Sequence, residues 1–304
     1  MTPKKTGWKV DLDPFLERVS AVATGSGSLS IFNAHIRLSL GLPADRKAAS
    51  AVIGFYHPQR WKGRLLKTLV QLLIATNLRK ILPGFQGEAG TAPQIRWLRR
   101  AAKEGTVGFL GCNPAHGPRC ILGGILPEDG SKFVAKLGFD ESAAAIEREA
   151  EFLNSIKGRY PGVISPVDYD EGKNWRSLRL PYLGEIGPAS MQDPRIIQLL
   201  VLWISEQKVS LKDLPWAQRL LDRVPASAAS PGWHQRMGAH SVHKALVHGD
   251  FAVWNLRIVG SKLCALDWEW AAEDGIAGID LAHGLRQEYY MVKGMSPRKA
   301  VDKI

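Results

Sequence analysis

Asp250, Asn255 and Asp267 are the residues of this chain whose types and spacing best suit chemistry. An apolar run, Leu246-Val247, ends in His248-Gly249-Asp250, and Asn255 stands five residues after the aspartate. Twelve residues further on, a second apolar run, Leu263-Cys264-Ala265-Leu266, ends in Asp267-Trp268-Glu269. Asp250 is placed to orient a nucleophile. An amide and a second carboxylate suit a hard cation such as Mg²⁺, with phosphate oxygens and water completing its shell. That division of labour is what phosphoryl transfer needs. Each residue alone reads as an ordinary turn polar; the three at these spacings do not.

Local pattern explains how they meet. Asn255–Val259 and Lys262–Leu266 flank Gly260-Ser261, a tight hairpin with glycine at its first turn position. Val259 then faces Lys262, and Asn255 faces Leu266 with Asp267 next along. Strict pleating would point Asn255 and Asp267 to opposite faces, so one of them has to leave the regular ladder.

Upstream, the apolar runs Thr106–Cys112, Arg119–Leu126 and Lys132–Gly138 are separated by turn sequences, Asn113–Gly117 and Pro127–Gly130. They predict an antiparallel meander. Lys136 lies in the third run, and alternation puts Val134 on its face, a hydrophobic contact for a base beside a charge for phosphates. An edge lysine facing solvent is the plainer alternative. A helix is expected from Asp140, as N-cap, to Lys157, with Gly158 as its stop. On its wheel Glu149 falls inside the apolar arc of Ala143, Ile146, Ala150, Leu153 and Ile156. A carboxylate there wants a cation, and Lys136 is the candidate. The loop Gly111–Gly117 with Gly123-Gly124 is glycine-rich but matches no strict phosphate-loop pattern. Strands are expected at Gly162–Tyr169 and Trp175–Leu183, then helices at Asp193–Lys208, Pro215–Arg223 and Pro231–Ala239.

Composition sets the frame. The 304 residues are 45% hydrophobic and 23% charged, as expected of a globular protein. The three cysteines, at no metal-ligand spacing, read as inert thiols in a reducing compartment. The polar start, Met1-Thr2-Pro3-Lys4-Lys5, predicts no secretory leader and a cytoplasmic location. The net charge of +11 sits mainly in residues 1–95, where 13 Lys/Arg face 5 Asp/Glu. A helix is expected there from Lys62 to Leu82, stopped by Pro83-Gly84, after a loop at 21–30. Its broad apolar face (Leu65, Leu66, Leu69, Val70, Leu72, Leu73, Ile74) beside Arg60, Lys62, Arg64 and Lys67 suits docking on the protein body. The alternative is peripheral contact of residues 60–82 with an anionic membrane, on the inner membrane face. Nucleic acid is not expected as a partner. The basic segment interleaves one aromatic, Trp61, with its charges and carries no recognition motif.

His248–Asn255, Leu266–Glu269 and Gly278-Ile279-Asp280-Leu281-Ala282 together resemble the aminoglycoside phosphotransferase and choline kinase-like superfamily, over about residues 100–290. The resemblance implies an α+β, bilobal protein-kinase-like fold. A small antiparallel-sheet N-lobe with one helix (96–184) would precede a mainly helical C-lobe (185–304), after the basic, partly helical extension (1–95). It implies ATP and Mg²⁺ as cofactors and transfer of the γ-phosphate to a hydroxyl of a small molecule or glycan. Asp250 would be the catalytic base, and Asn255 and Asp267 the metal ligands. Lys136 would hold the phosphates with Glu149 as its ion-pair partner, and the backbone near Leu180 and Leu183 would read adenine. His248 would be structural and Asp280 would brace the loop. Two other functions fit the pattern: a catalytically silent kinase-like binding module, and a kinase acting on a membrane-borne glycan or lipid-linked substrate.

Overall fold

The computed structural model describes residues 29–34, 38–43, 45–58, 61–78, 85–87, 98, 100–101, 104, 106–111, 119–184, 186–222 and 240–304. The turn Asn113–Gly117, the stop Pro83-Gly84, most of the loop at 21–30 and the helix expected at Pro231–Ala239 lie outside them. The fold is α+β, with an antiparallel sheet and several helices. No described helix is long and apolar enough to cross a membrane. The chain divides into two compact units: Met1–Tyr56, Lys62–Ile146 and Asp168–Tyr182 in the first, and His57–Trp61, Glu147–Val167 and Leu183–Ile304 in the second.

The first unit is built on an eight-stranded sheet. Its strands are β1 (Leu29–Ala34), β2 (Leu38–Leu42), β3 (Phe85–Gly87), β4 (Val107–Gly111), β5 (Arg119–Ile125), β6 (Lys132–Phe139), β7 (Asp168–Gly172) and β8 (Trp175–Leu180), in the order β3-β1-β2-β4-β5-β6-β8-β7. The meander read from the sequence is β4-β5-β6. The strand expected at Gly162–Tyr169 starts later, at Asp168, because Val163 instead bridges Ala265. Directly paired residues share a face, so Gly108, Gly123, Val134 and Leu180 form one row, and Ile121, Lys136 and Leu178 another on the same face. The opposite face packs Val107, Phe109, Leu122, Phe133, Ala135 and Leu137 into a core.

Two helices precede the meander. α1 (Arg46–Gly54) is capped by Asp45, whose carboxylate accepts from Ala48 N at 2.7 Å. α2 (Trp61–Ala75) is shorter than expected. Its apolar residues split into two stripes. Leu66, Val70 and Ile74 join a core with Ala49, Val52, Ile53, Leu40, Leu42 and Leu110. Trp61, Leu65, Leu69 and Leu72 are exposed, so the broad face docks only in part.

α3 (Ala143–Ser155) carries the chain into the second unit. Asp140 is not its cap. Asp140 sits at φ 49° in a short 3₁₀ turn, which Ser142 closes: its hydroxyl accepts from Phe139 N at 3.0 Å and donates to Phe139 O at 2.9 Å. The second unit holds α4 (Pro194–Val201), α5 (Pro215–Leu221), α6 (Ile279–Gln287) and α7 (Pro297–Asp302). It also holds a three-stranded sheet, so it is less purely helical than the sequence suggested. β9 (Ile204–Ser210) replaces the second half of the helix expected at Asp193–Lys208, and pairs with β10 (Ser241–Val247), which pairs with β13 (Ala272–Ile276). The helix stops at Val201, and Trp203 leads the chain into the sheet. Its side chain is buried and its carbonyl accepts from Leu246 N at 3.1 Å, which commits the following residues to the sheet. A separate hairpin joins β11 (Leu256–Val259) and β12 (Lys262–Ala265).

Candidate active site

The hairpin has the register read from the sequence, with Val259 opposite Lys262 and Leu266 N donating to Asn255 O at 2.8 Å. Asn255 and Asp267 both leave the ladder. Asn255 closes a 3₁₀ turn, Val253–Asn255, and Asp267 adopts φ 70°, a left-handed conformation uncommon for a residue with a Cβ. Such backbone persists where the surroundings enforce it. Here the next residue, Trp268, is clamped. Its N–H donates to Glu149 Oε1 at 3.0 Å, its indole donates to Ala265 O at 2.9 Å, and its ring packs with Phe152, Trp203 and His248. Glu149 is 1% exposed, as the helical wheel predicted, and this backbone bond gives the buried carboxylate a partner that the sequence did not reveal.

The loop after β10 is wired to this hairpin through His248, which is fully buried. Its Nε2 lies 2.7 Å from Leu266 O, and its Nδ1 accepts from Asp250 N at 3.2 Å. Those partners require a neutral ring with the proton on Nε2. Burial holds the imidazole below its usual value against the pull of Asp280, so ring and network agree. Asp280, on α6, accepts from His248 N at 2.7 Å and Gly249 N at 3.1 Å. Burial pushes its carboxyl upward, opposed by His248 and these two N–H groups. Gly249 has φ 82°, and a side-chain carbon there would run into the Trp270 carbonyl, so glycine is required between the histidine and the aspartate.

Asp250 and Asn255 are brought together. Asn255 Nδ2 donates to Asp250 O at 2.9 Å and to Asp250 Oδ2 at 3.1 Å. Its donor end is thereby committed, and its carbonyl oxygen is the end left to meet a cation. With the Asp267 carboxylate this donor set is all-oxygen, which fits Mg²⁺. Among the described residues no group of three or more His, Cys, Asp or Glu side chains is placed to hold a metal. A cation held by Asn255 and Asp267 therefore depends on phosphate oxygens and water for the rest of its shell. Arg257, also buried, braces the loop by donating to Trp254 O and Leu256 O, with its other nitrogen 3.0 Å from His57 Nδ1.

One polar partner of Asp250 escaped the sequence reading. His283 Nε2, on α6, lies 3.1 Å from Asp250 Oδ1. The signal was present in its spacing. Position 283 follows Asp280 by three residues, which puts both on one side of a helix.

The residues expected on the nucleotide side belong mostly to the first unit. Lys136 and Val134 share a sheet face, as alternation predicted, and Leu180 lies on the same face as the pairing partner of Val134. Leu183 follows the strand and falls in the second unit, as does Glu149. The same face carries something unexpected. Gly108 and Gly123, in the row of Val134 and Leu180, are where α1 comes down: a side-chain carbon on Gly108 would meet Val52, and one on Gly123 would meet the Phe55 ring. Phe55 also packs edge-on against Tyr182, ring centroids 5.4 Å apart, and Lys132 Nζ sits 5.0 Å from the centre of that tyrosine ring. The strip on which a base would lie beside Val134 thus carries a phenylalanine from the N-terminal segment.

No protein-family model and no curated protein sequence matches the chain. A solved structure similar to it is aminoglycoside phosphotransferase APH(3'')-Id from Streptomyces rimosus, at 15% identity and TM-score 0.39, covering 61% of this chain and 87% of that one. A likeness that loose does not by itself define fold or activity.

Proposed function

We propose that this chain is an ATP- and Mg²⁺-dependent phosphotransferase that moves a γ-phosphate to a hydroxyl of a small molecule or glycan. The observation that carries the reading is the loop itself. A half-exposed Asp250 carboxylate is held 3.1 Å from Asn255 Nδ2, and a neutral histidine wires the loop to the hairpin that bears Asp267. In this reading Asp250 accepts the proton of the acceptor hydroxyl. Mg²⁺, when bound by Asn255 and Asp267, neutralises phosphate charge. Lys136 holds the phosphates, Glu149 orients that lysine, and Val134, Leu180 and Leu183 receive the base. An ATP-consumption screen over sugars, amino alcohols, aminoglycosides and lipid-linked glycans tests it. Acceptor-dependent turnover supports the reading, and none with any acceptor opposes it.

One observation favours a second reading, the catalytically silent kinase-like binding module: Phe55 and Val52 cover Gly123 and Gly108 on the face that bears Lys136. MgATP titration separates the two, since a silent module of this kind binds no nucleotide. The exposed stripe Trp61, Leu65, Leu69 and Leu72 supports a refinement of the first reading, in which the acceptor is membrane-borne. Salt-sensitive binding to anionic vesicles would bear it out.

A further inference from the structure

The Asp250 carboxylate is engaged at both oxygens. Asn255, from the same loop, takes Oδ2 at 3.1 Å, and His283, from α6, takes Oδ1 at 3.1 Å. Asp280, one turn earlier on α6, holds the His248 and Gly249 backbone. One helix therefore fixes both the backbone of the loop and the carboxylate it presents. Gln287, one turn later, places its side-chain nitrogen 3.3 Å from the same His283 nitrogen; with Nε2 protonated toward Asp250, that nitrogen is a neighbour of the ring and not a donor to it. The pair is not buried out of reach: the side chains of His283 and Asp250 are 25% and 33% exposed. This is the exposure a base needs if an acceptor hydroxyl is to reach it.

We propose that His283 is a positioning residue for phosphoryl transfer: it donates from Nε2 to Asp250 Oδ1 and so aims the carboxylate at the acceptor hydroxyl. The proposal rests on the assignment of Asp250 as the proton acceptor. Its physical basis is rotational. The terminal torsion of an aspartate is broad, and Asn255 pins one oxygen only. The second hydrogen bond removes the remaining freedom, and each oxygen keeps a lone pair for the incoming proton. Geometry of this kind matters, because a misplacement of about 1 Å at a reacting group lowers rate by roughly 100-fold. A half-exposed His–Asp contact without that role would contribute little, as surface ion pairs do.

The test uses the full chain, MgATP and water as acceptor. Water attacks the γ-phosphorus, the bond to the β–γ bridging oxygen breaks, ADP leaves and the water proton passes to Asp250. Phosphate release is followed in wild type, Asp250→Asn, His283→Ala, His283→Gln and the double variant Asp250→Asn/His283→Ala. His283→Ala is expected to lower kcat by about 10- to 100-fold with the KM for MgATP unchanged. His283→Gln, whose amide reaches the same oxygen, and free imidazole added to His283→Ala should restore part of the loss. The double variant should fall no lower than Asp250→Asn alone. An inactive Asp250→Asn beside a fully active His283→Ala overturns the positioning role and leaves Asp250 in place. A fully active Asp250→Asn overturns the assignment of the site itself. A reading independent of turnover comes from ¹⁵N-histidine NMR, where Asp250→Asn should shift the His283 Nε2 resonance. No shift overturns the proposal even if wild type hydrolyses no ATP.

Discussion

The loop His248–Asn255 and the sheet face of Lys136 were assigned parallel roles, but they are held by different means. The loop is held by short-range polar bonds: Asp250 N to His248, Asn255 to Asp250, His248 to Leu266, and both loop N–H groups to Asp280. The sheet face is held by packing between parts of the chain far apart in sequence, with Val52 and Phe55 laid on Gly108 and Gly123. A polar site whose partners lie within about thirty residues leaves its trace in spacing. A packed face leaves only apolar periodicity, which does not say what covers it.

The sharpest break between the two regions is expected at Asn255 and Asp267, the proposed metal ligands. Asp267→Ala should abolish MgATP binding, because it removes the anionic ligand, whereas Asn255→Ala should weaken it less. Calorimetric titration of MgATP gives the order, and equal or reversed effects contradict the assigned roles.

The next largest effect is structural. Glu149→Ala should destabilise the fold by about 1–3 kcal/mol, the usual penalty for leaving a buried N–H such as that of Trp268 without its acceptor. Glu149→Gln, which keeps an acceptor oxygen, should be milder. Denaturant unfolding measures both. If Lys136 and Glu149 also act as one ion pair, their effects on the KM for ATP should be less than additive.

The covered face is sharpened by Phe55→Ala. If the ring must leave before a base binds, truncation should tighten MgATP binding by about threefold to tenfold, since the binding-competent fraction rises. Weaker binding would mean instead that the ring supports the base. Nucleotide titration of the two proteins decides.

The smallest expected effect is on pH. His248 is held below its ordinary 6.5 in the fold, so the unfolded chain takes a proton that the folded chain refuses. This contribution to stability is present above 6.5 and is lost as pH falls through the folded value. Asp280, raised above its ordinary 3.8, acts in the opposite sense, its contribution being lost as pH rises through its folded value. The His248 contribution therefore lowers Tm as pH is taken below 6.5, and at pH 6.5 most of the His248 ring should be neutral by NMR in the folded protein. Protonation of His248 above 6.5 in the folded protein would contradict this.

The same contrast marks what the sequence could disclose. Gly260-Ser261 between two apolar runs gave the hairpin its register, and with it the juxtaposition of Asn255 and Asp267. The helical wheel placed Glu149 inward but could not name Trp268 N as a partner, because that bond spans 119 positions. Ile204–Lys208 reads as helix in the sequence because its strand partner starts more than thirty residues later and its side chains are mostly exposed, which leaves no clear alternation. For His283 the only trace in the sequence is its three-residue spacing from Asp280; the residue type alone does not point to Asp250, whose contact with it appears in the fold.

The central claim is that Asp250 is the proton acceptor of a phosphotransferase loop. Its most direct test is Asp250→Asn, assayed for MgATP binding by calorimetry and for γ-phosphate transfer to water or an acceptor by ³¹P NMR. The account predicts that binding is retained while transfer falls by about 100-fold or more, the usual size of lost general-base help. Transfer at the wild-type rate would contradict it.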